Sequence, residues 1–300
     1  MAPGVAFPVV TEPRGRRDVR PVTTPVRAVV LVAGALVLAA GFQLFVLTDH
    51  TDRFFAWTVE PPVTGATLGA FYWTSLGLLA ASYREPVWAR VRVAFPGVFA
   101  FTSLTFIATL IHLDRFHLDA DDPITLVVTW AWIVVYGVVP PALAAVLVLQ
   151  ARQPGGDPPR VAPVPAPARA VIAVVALAWL GVGTALFAVP GRAASLWPWA
   201  LTDLTARAIG AWLIGMGLVT GGAAVENDWT RIRPAALSAI LLLGLQGIAL
   251  IRYADRVEWG TVEAWAYVGS VVALAVAGMW GLRRPVSPRA GEPARPVPSG

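Results

Sequence analysis

The sequence predicts an all-α integral membrane protein with about eight transmembrane helices, arranged as two parallel (direct-repeat) four-helix halves with both termini in the cytoplasm. Three observations predict this fold. The composition is typical of a membrane protein, long apolar runs recur about eight times, and the first part of the chain aligns with the second.

The composition excludes several classes of protein. Of the 300 residues, 57% are hydrophobic and 14% are charged, whereas a soluble domain has about 25% charged residues. The net charge of +5 comes from arginines in the tails and short loops, so it does not predict a nucleic-acid partner. The absence of cysteine excludes disulfides, thiolate nucleophiles and Cys-ligated zinc or iron–sulfur centres.

Eight apolar runs predict the transmembrane spans. A helix needs roughly 20 apolar residues to cross a hydrocarbon core of about 30 Å. Runs of about that length, almost free of charge, lie at 28–47, 64–81, 93–111, 124–149, 170–189, 204–225, 235–251 and 262–282. The first run is too long for the apolar part of a signal peptide, so we expect an uncleaved first helix. Pro140 and Pro141 predict a kink in the fourth.

The distribution of arginine predicts the orientation. Cytoplasmic loops of membrane proteins carry an excess of positive charge. Seventeen of the 23 arginines lie in the two tails and in the loops that follow even-numbered spans, while the other loops are acidic. The sequence therefore predicts a multi-pass protein of the cell (plasma) membrane with both termini cytoplasmic.

The chain also aligns with itself. From Gly69 to Phe116 the offset is 141 residues without a gap, and upstream it becomes 142, pairing Trp57 with Trp199. The fourth span of each half aligns only through Ala131-Trp132 and Ala264-Trp265. Since each half crosses the membrane an even number of times, the halves are predicted to be parallel. The predicted organisation is a disordered cytoplasmic tail (1–27), a first half (28–150), a Pro-rich cytoplasmic linker (151–168), a second half (169–283) and a disordered cytoplasmic tail (284–300).

A Glu-x-x-Trp-x-Arg-x-Arg motif occurs in the corresponding inner loop of each half. Its residues are Glu85, Trp88, Arg90 and Arg92, and Glu226, Trp229, Arg231 and Arg233. Tryptophan suits the headgroup level and arginine suits phosphate oxygens. The motif is interpreted as a topology anchor, with binding of lipid phosphate as the alternative.

Polar residues on the outer side suggest two further sites. His50, His112 and His117 lie near aspartates and could ligate a metal ion, but the second half does not repeat them, so we expect no metal there. The adjacent pairs Asp114-Arg115 and Asp255-Arg256 end the third and seventh spans. Adjacent residues on a helix point about 100° apart. The pairs were therefore expected to bridge to neighbouring helices as an outer charged cluster, with solvated helix ends as the alternative.

Aromatic residues recur in the outer loops at 54–57 and 196–199. They are expected to lie flat in the headgroup layer.

No catalytic motif, nucleotide loop or cofactor signature is apparent, so no cofactor and no catalytic residue are predicted. The preferred interpretation is a non-enzymatic membrane protein that binds or carries a lipid or small apolar ligand between its halves, or a scaffold subunit for a membrane partner. The alternative is a membrane-embedded enzyme with the outer His and Asp residues holding a metal.

Overall fold

The computed structural model describes residues 19–283, which are helical apart from the connecting loops and two isolated bridges. Helix α1 (Thr24–Gly41) continues as a π-helical turn (Phe42–Val46). The other helices of 18 residues or more in this range are α2 (Pro62–Arg84), α3 (Ala94–Ile111), α4 (Pro123–Ala151), α5 (Ala166–Ala188), α6 (Asp203–Glu226), α7 (Trp229–Arg252) and α8 (Val262–Arg283). Seven of the eight, all but α2, are long and apolar enough to cross a membrane. The chain is therefore a polytopic membrane protein.

Helix α2 differs from the other seven because it is less apolar, although its first part is buried in the bundle, as is that of α6. It has 23 residues, and its threonines Thr64 and Thr67 are fully buried. A helix surrounded by protein does not need the apolar surface that lipid requires, because neighbouring helices can satisfy its hydroxyl groups. The predicted second span is thus a helix long enough to cross a membrane, but its composition alone does not identify it as membrane-spanning.

Contacts between the helices form a closed circuit. They run α1–α2–α7–α8–α5–α6–α3–α4 and return to α1. Every contact in this circuit has a counterpart four helices away, so α1–α2 corresponds to α5–α6 and α3–α4 to α7–α8. The third helix of each half packs on the second helix of the other half. We call these two contacts the α3–α6 seam and the α2–α7 seam.

The loops define two ends of the bundle. The linker face carries the loop 85–93, the chain 152–165 and the turn 227–228, and the opposite face carries the remaining loops. On the linker face, Trp88 donates its backbone N–H to the Arg20 carbonyl (3.0 Å). The buried Gln150 side chain accepts from the N–H of Thr23 (3.0 Å) and donates to the Pro21 carbonyl (2.8 Å).

These hydrogen bonds correct the predicted boundary of the N-terminal tail. Residues 19–23 are packed against the bundle and α1 begins at Thr24, so the part of the predicted disordered segment 1–27 from Val19 onward is ordered. Residues 1–18, and the predicted C-terminal tail 284–300, lie outside the described residues. The predicted linker 151–168 is also held in place, since Trp229 donates its N–H to the Ala162 carbonyl (2.8 Å), just as Trp88 does to Arg20.

The register of the last helix differs from the sequence alignment. Trp132, which the alignment paired with Trp265, is 8% exposed, whereas Trp265 is 61% exposed. The buried residues of α4 include positions 129, 132, 136 and 140. They correspond in spacing to the buried positions 264, 267, 271 and 275 of α8. Tyr267 is therefore the counterpart of Trp132, and the matching Ala-Trp dipeptides misled the alignment by two residues.

Candidate functional site

The α3–α6 seam is held together by a close approach of two backbones. A Cβ atom on Gly97 would lie 2.3 Å from the Gly215 carbonyl oxygen and 2.6 Å from Cγ2 of Val219. A Cβ atom on Gly215 would lie 3.0 Å from the Gly97 carbonyl oxygen. Small residues allow such approaches between helices in a membrane. This contact divides the seam into a part towards the linker face and a part towards the opposite face, and each part contains a cavity.

The larger cavity is a crevice that lies towards the linker face. Its volume is about 400 Å³. Its apolar walls come from the start of α3, the end of α4 and the second half of α6, including Val93, Phe95, Phe99, Leu147, Leu218 and Val225. Arg92 and Glu226 line its polar end. The crevice therefore combines an apolar interior with one ion pair.

That ion pair belongs to a four-residue cluster between the halves. Arg92 Nε contacts Glu226 at 2.5 Å, and Arg92 Nη1 contacts Asp157 at 2.6 Å. Glu226 also accepts from Nη1 of Arg231 at 2.8 Å, and this arginine side chain is only 5% exposed. The hydrogen bonds with Glu226 and Asp157 raise the pKa of Arg92 against the opposing effect of its burial. Charge is nearly balanced here, so the cluster ties the first half, the linker and the second half together.

Asp228 fixes the linker onto this cluster. Its carboxylate accepts the backbone N–H groups of Val161 (2.5 Å) and Ala162 (3.0 Å), and also that of Thr230 (2.8 Å), so that it caps α7. Burial raises the pKa of Asp228, but these bonds and the Thr230 hydroxyl outweigh it and hold the pKa below its ordinary value. Asn227, in the left-handed conformation (φ 47°), ends α6 immediately before this cap.

The predicted inner-loop motifs therefore behave differently in the two halves. In the first half, Glu85 pairs with Arg90 at 3.3 Å. In the second, Glu226 and Arg231 form the equivalent pair and also join the cluster with Arg92. Trp88 and Trp229 are buried, while Arg233, the counterpart of Arg92, is exposed. Arg92 and Arg231 are thus paired with carboxylates, and Arg92 uses two of its five N–H donors in these pairs.

The smaller cavity is an aromatic chamber that lies towards the opposite face. Its volume is about 10 Å³, and its walls include Trp57, Tyr72, Thr105, Trp132, Ala208 and Trp212. Phe101 separates it from the crevice, with its ring centroid 3.9 Å from that of Trp212. The crevice and the chamber therefore follow one another along the same seam.

Trp57 reaches the chamber because its loop folds into the bundle. Phe55 is fully buried and Trp57 is 4% exposed, and the corresponding Trp197 and Trp199 are 5% and 1% exposed. The expectation that these loops lie flat on the membrane was wrong. The Ala56 carbonyl accepts the N–H of His117 (3.1 Å), and in the second half the Pro198 carbonyl accepts that of Glu258 (2.8 Å).

The three histidines considered as metal ligands form no ligand group among the described residues, and two of them contact other groups. Arg207 donates to Nε2 of His112 at 2.6 Å, so that nitrogen is unprotonated and a cation already lies against it. Burial, followed by the charge of Arg207, lowers the pKa of His112. His117 contacts Thr58 (3.1 Å) and the Phe55 carbonyl (3.2 Å). Between residues 19 and 283, no three His, Asp or Glu residues are placed to hold a metal ion, and His50 belongs to no such group.

The predicted outer charged cluster is replaced by two local ion pairs. Asp114 and Arg115 contact each other at 3.2 Å, as do Asp255 and Arg256, and all four side chains are exposed. Each pair lies in a 3₁₀ turn beyond the end of its helix, where both side chains are exposed and extend to each other. On this face, Asp49 instead joins α1 to α7 through Arg252 (3.2 Å) and Tyr253 (3.1 Å).

The α2–α7 seam has no counterpart of the Gly97–Gly215 contact. The equivalent positions are Ser238 and Thr74, and the Ser238 hydroxyl donates to the Thr74 carbonyl at 3.0 Å. Nearer the opposite face, the buried Gln246 side chain donates to the Thr67 carbonyl at 3.0 Å. Gln246 is the counterpart of Thr105 and Thr67 that of Ala208. Each of these four polar residues thus occupies a position where the α3–α6 seam has a smaller residue.

The chain matches no protein-family model, no curated protein and no solved structure. The assignment of class accordingly rests on its own residues. They define a helical, polytopic membrane protein with two cavities along the α3–α6 seam.

Sequence reasoning missed Asp157, Asp228 and Thr105. Asp157 and Asp228 lie beside the inner-loop motifs, and an acidic residue inside an otherwise basic region was a usable signal. Thr105 is a polar residue within an apolar span. The alignment of the two halves pairs Thr105 with Gln246, and this difference would have identified Thr105.

Proposed function

We propose that this protein is a non-enzymatic protein of the cell membrane that binds one lipid chain, or an apolar molecule of similar size, in the crevice of the α3–α6 seam. The crevice itself carries the proposal, because it offers about 400 Å³ between helices of different halves. Ligand pockets have volumes of about 300–1,000 Å³. Lipid is therefore the expected partner, and no cofactor or metal takes part.

The walls of the crevice favour an apolar ligand over a polar one. They are aliphatic and aromatic, and the two charges at the polar end are already paired. The hydrocarbon core of the bilayer is as apolar as the walls of the crevice. The hydrophobic effect therefore does not drive a lipid chain from the bilayer into the crevice. Retention must come from shape and from a polar end group. Arg92 uses two of its five N–H donors on carboxylates, which leaves donors for such a group.

Binding can be tested with a photoreactive lipid. Purified protein would be placed in nanodiscs containing a phospholipid with a mid-chain diazirine, irradiated and mapped by mass spectrometry. We expect labelling of Phe99 and Leu218 to exceed that of Val174 and Leu177, which are lipid-accessible surface residues of α5 (65% and 69% exposed). Equal labelling of crevice and surface residues would contradict the proposal.

The proposed orientation places the linker face in the cytoplasm. The excess of arginine in the tails and linker-face loops supports it. A reporter that is active only in the cytoplasm should work when fused after Gln153, Asn227 or Pro285 and fail after Asp121 or Glu258. Activity after Asp121 would reverse the orientation.

We also propose that the two halves are copies related by a pseudo-twofold axis along the membrane normal. Paired contacts support this relationship, since the Trp88–Arg20 and Trp229–Ala162 hydrogen bonds occupy equivalent positions. The helix contacts give the same pairing. In this arrangement the two seams have equivalent backbones and different side chains. The crevice is then a specialised feature of the α3–α6 seam.

A further inference from the structure

The aromatic chamber of the α3–α6 seam has the size of a single small molecule. Its volume is about 10 Å³, and a cavity needs roughly 10–15 Å³ to hold one water. Purely apolar cavities stay dry, whereas a cavity with two or more polar groups retains ordered water. The content of the chamber therefore depends on the polar atoms in its walls.

Two of the chamber's side chains have buried polar atoms without a partner among the described protein atoms. They are the indole nitrogen of Trp57 and the hydroxyl oxygen of Thr105, whose residues are 4% and 5% exposed. Buried donors and acceptors are nearly always paired, with protein or with ordered water. Trp57 supplies a donor, and Thr105 supplies a group that can donate and accept.

A third wall residue, Tyr72, can supply a further proton when Tyr136 is the donor in the hydrogen bond between them. The hydroxyl of Tyr72 is hydrogen-bonded to that of Tyr136, and both residues are buried. Two hydroxyls carry two protons, but a single hydrogen bond between them uses one. The remaining proton needs an acceptor, and the chamber is the adjacent space on the Tyr72 side.

The α2–α7 seam meets part of the same need with protein groups, although Oε1 of Gln246 and Oγ1 of Thr67 are also buried without a partner among the described protein atoms. Where the chamber has Thr105 and Ala208, this seam has Gln246 and Thr67, and the Gln246 amide donates to the Thr67 carbonyl at 3.0 Å. Trp199, the counterpart of Trp57, donates its indole N–H to the Thr64 hydroxyl at 2.9 Å. In the α3–α6 seam, the chamber lies where the other seam has the glutamine side chain. The Trp57 indole has no protein partner equivalent to Thr64.

We infer that the chamber binds one ordered water molecule, which accepts a hydrogen bond from the Trp57 indole and is bonded to the hydroxyls of Thr105 and Tyr72. This water joins the buried loop at Trp57 to α2 and α3, and so holds the opposite-face end of the α3–α6 seam closed. The site is independent of lipid binding in the crevice, because Phe101 and Trp212 lie between the two.

The test is nuclear magnetic resonance of the protein labelled with ¹⁵N at its tryptophan indoles, in nanodiscs. The Trp57 and Trp199 signals would be assigned with Trp57→Phe and Trp199→Phe, and Trp57→Tyr replaces the first if it does not fold. We expect a cross-peak between the Trp57 indole proton and water. Trp199 is the matched control and should show none, because its indole is bonded to Thr64.

Thr105→Gln provides the decisive variant, since it introduces the side chain present at the equivalent position of the other seam. A glutamine should fill the chamber and displace the water. We therefore expect the Trp57 cross-peak to disappear while the protein keeps its elution volume and its other indole signals. A missing cross-peak in the unmodified protein, or one that persists unchanged in folded Thr105→Gln, would overturn the inference.

Discussion

The two seams between the halves differ in how they are filled, although they join equivalent helices. In the α2–α7 seam, Ser238 and Gln246 donate to carbonyl groups of the facing helix. In the α3–α6 seam, the corresponding residues are Gly97 and Thr105, the backbones touch at one point, and cavities lie on either side of it. One seam is bridged by side-chain hydrogen bonds, and the other contains a crevice and a chamber.

Under the proposed duplication, this difference explains how a bundle of two copies acquires the proposed ligand site in one seam. The backbone hydrogen bonds at Trp88 and Trp229, and at Ala56 and Pro198, are repeated in both halves and maintain the scaffold. Changes of side-chain volume in one seam then create cavities without altering the arrangement of the helices. The ion cluster on Glu226 reinforces the seam that contains the crevice.

The largest expected effect comes from filling the glycine contact. Gly97→Val places a branched side chain where even a Cβ would lie 2.3 Å from a carbonyl oxygen. Overpacking costs about 1–3 kcal/mol, and we expect the upper end of this range because backbone must move. The measurement is the free energy of unfolding in detergent.

The matched control for Gly97→Val is Ser238→Ala at the equivalent position of the other seam. It removes one hydrogen bond to Thr74 and should cost about 1 kcal/mol. If Gly97→Val lowered the free energy of unfolding no more than Ser238→Ala, the close approach at Gly97 would not restrict side-chain size. The proposed difference between the seams would then be wrong at this position.

A somewhat smaller effect is expected from Glu226→Gln. This change leaves Arg231, which is 5% exposed, without its main carboxylate, and breaking a buried ion pair costs about 3–5 kcal/mol. Asp157 at 3.6 Å and the Pro158 carbonyl partly compensate, so we expect about 2 kcal/mol.

Glu85→Gln is the control in the first half. Its partner Arg90 is 34% exposed, so the loss should be about 0–1 kcal/mol. Unfolding of both variants under the same conditions measures the difference. Similar losses would show that the cluster at Glu226 is no stronger than an ordinary surface pair.

The smallest effect concerns pH. The pKa of His112 is lowered by burial and by Arg207, so the unfolded chain binds the proton more tightly than the folded protein. Stability should therefore fall as the pH drops through the ordinary histidine pKa of about 6.5. The fall in melting temperature from pH 7.5 to pH 5.5 should be smaller in His112→Tyr than in the unmodified protein. This variant introduces the residue found at the equivalent position 253. An unchanged decline would exclude His112 as the source.

Much of the fold was predictable from the sequence, because hydrophobic runs and repeated motifs are local properties. The predicted spans lie within or overlap the eight long helices, and the 141-residue offset identified equivalent positions such as Gly97 and Ser238. The interior position of α2 was not predictable in this way. Its threonines lower the hydropathy of the run, but only the packing shows that they face protein.

The candidate site was less predictable, because it depends on contacts between distant segments. Arg92 looked like an anchor for lipid, and its pairing with Glu226 and Asp157 arises only when α3 packs on α6. Trp57 in a loop fits either a headgroup layer or a core, since an indole suits both environments. The local pairing of Asp114 with Arg115 in an exposed turn was likewise not visible in the residue pattern.

The most direct test of the central claim compares lipid retention by two matched variants. Gly222 lines the crevice on α6, and Ala81 occupies the equivalent position on α2. Native mass spectrometry of protein released from nanodiscs would count the lipids retained by Gly222→Phe, Ala81→Phe and the unmodified protein. The account predicts that Gly222→Phe loses one bound lipid while Ala81→Phe retains it. Equal retention by all three, or loss in Ala81→Phe alone, would contradict the assignment of the ligand site to the α3–α6 seam.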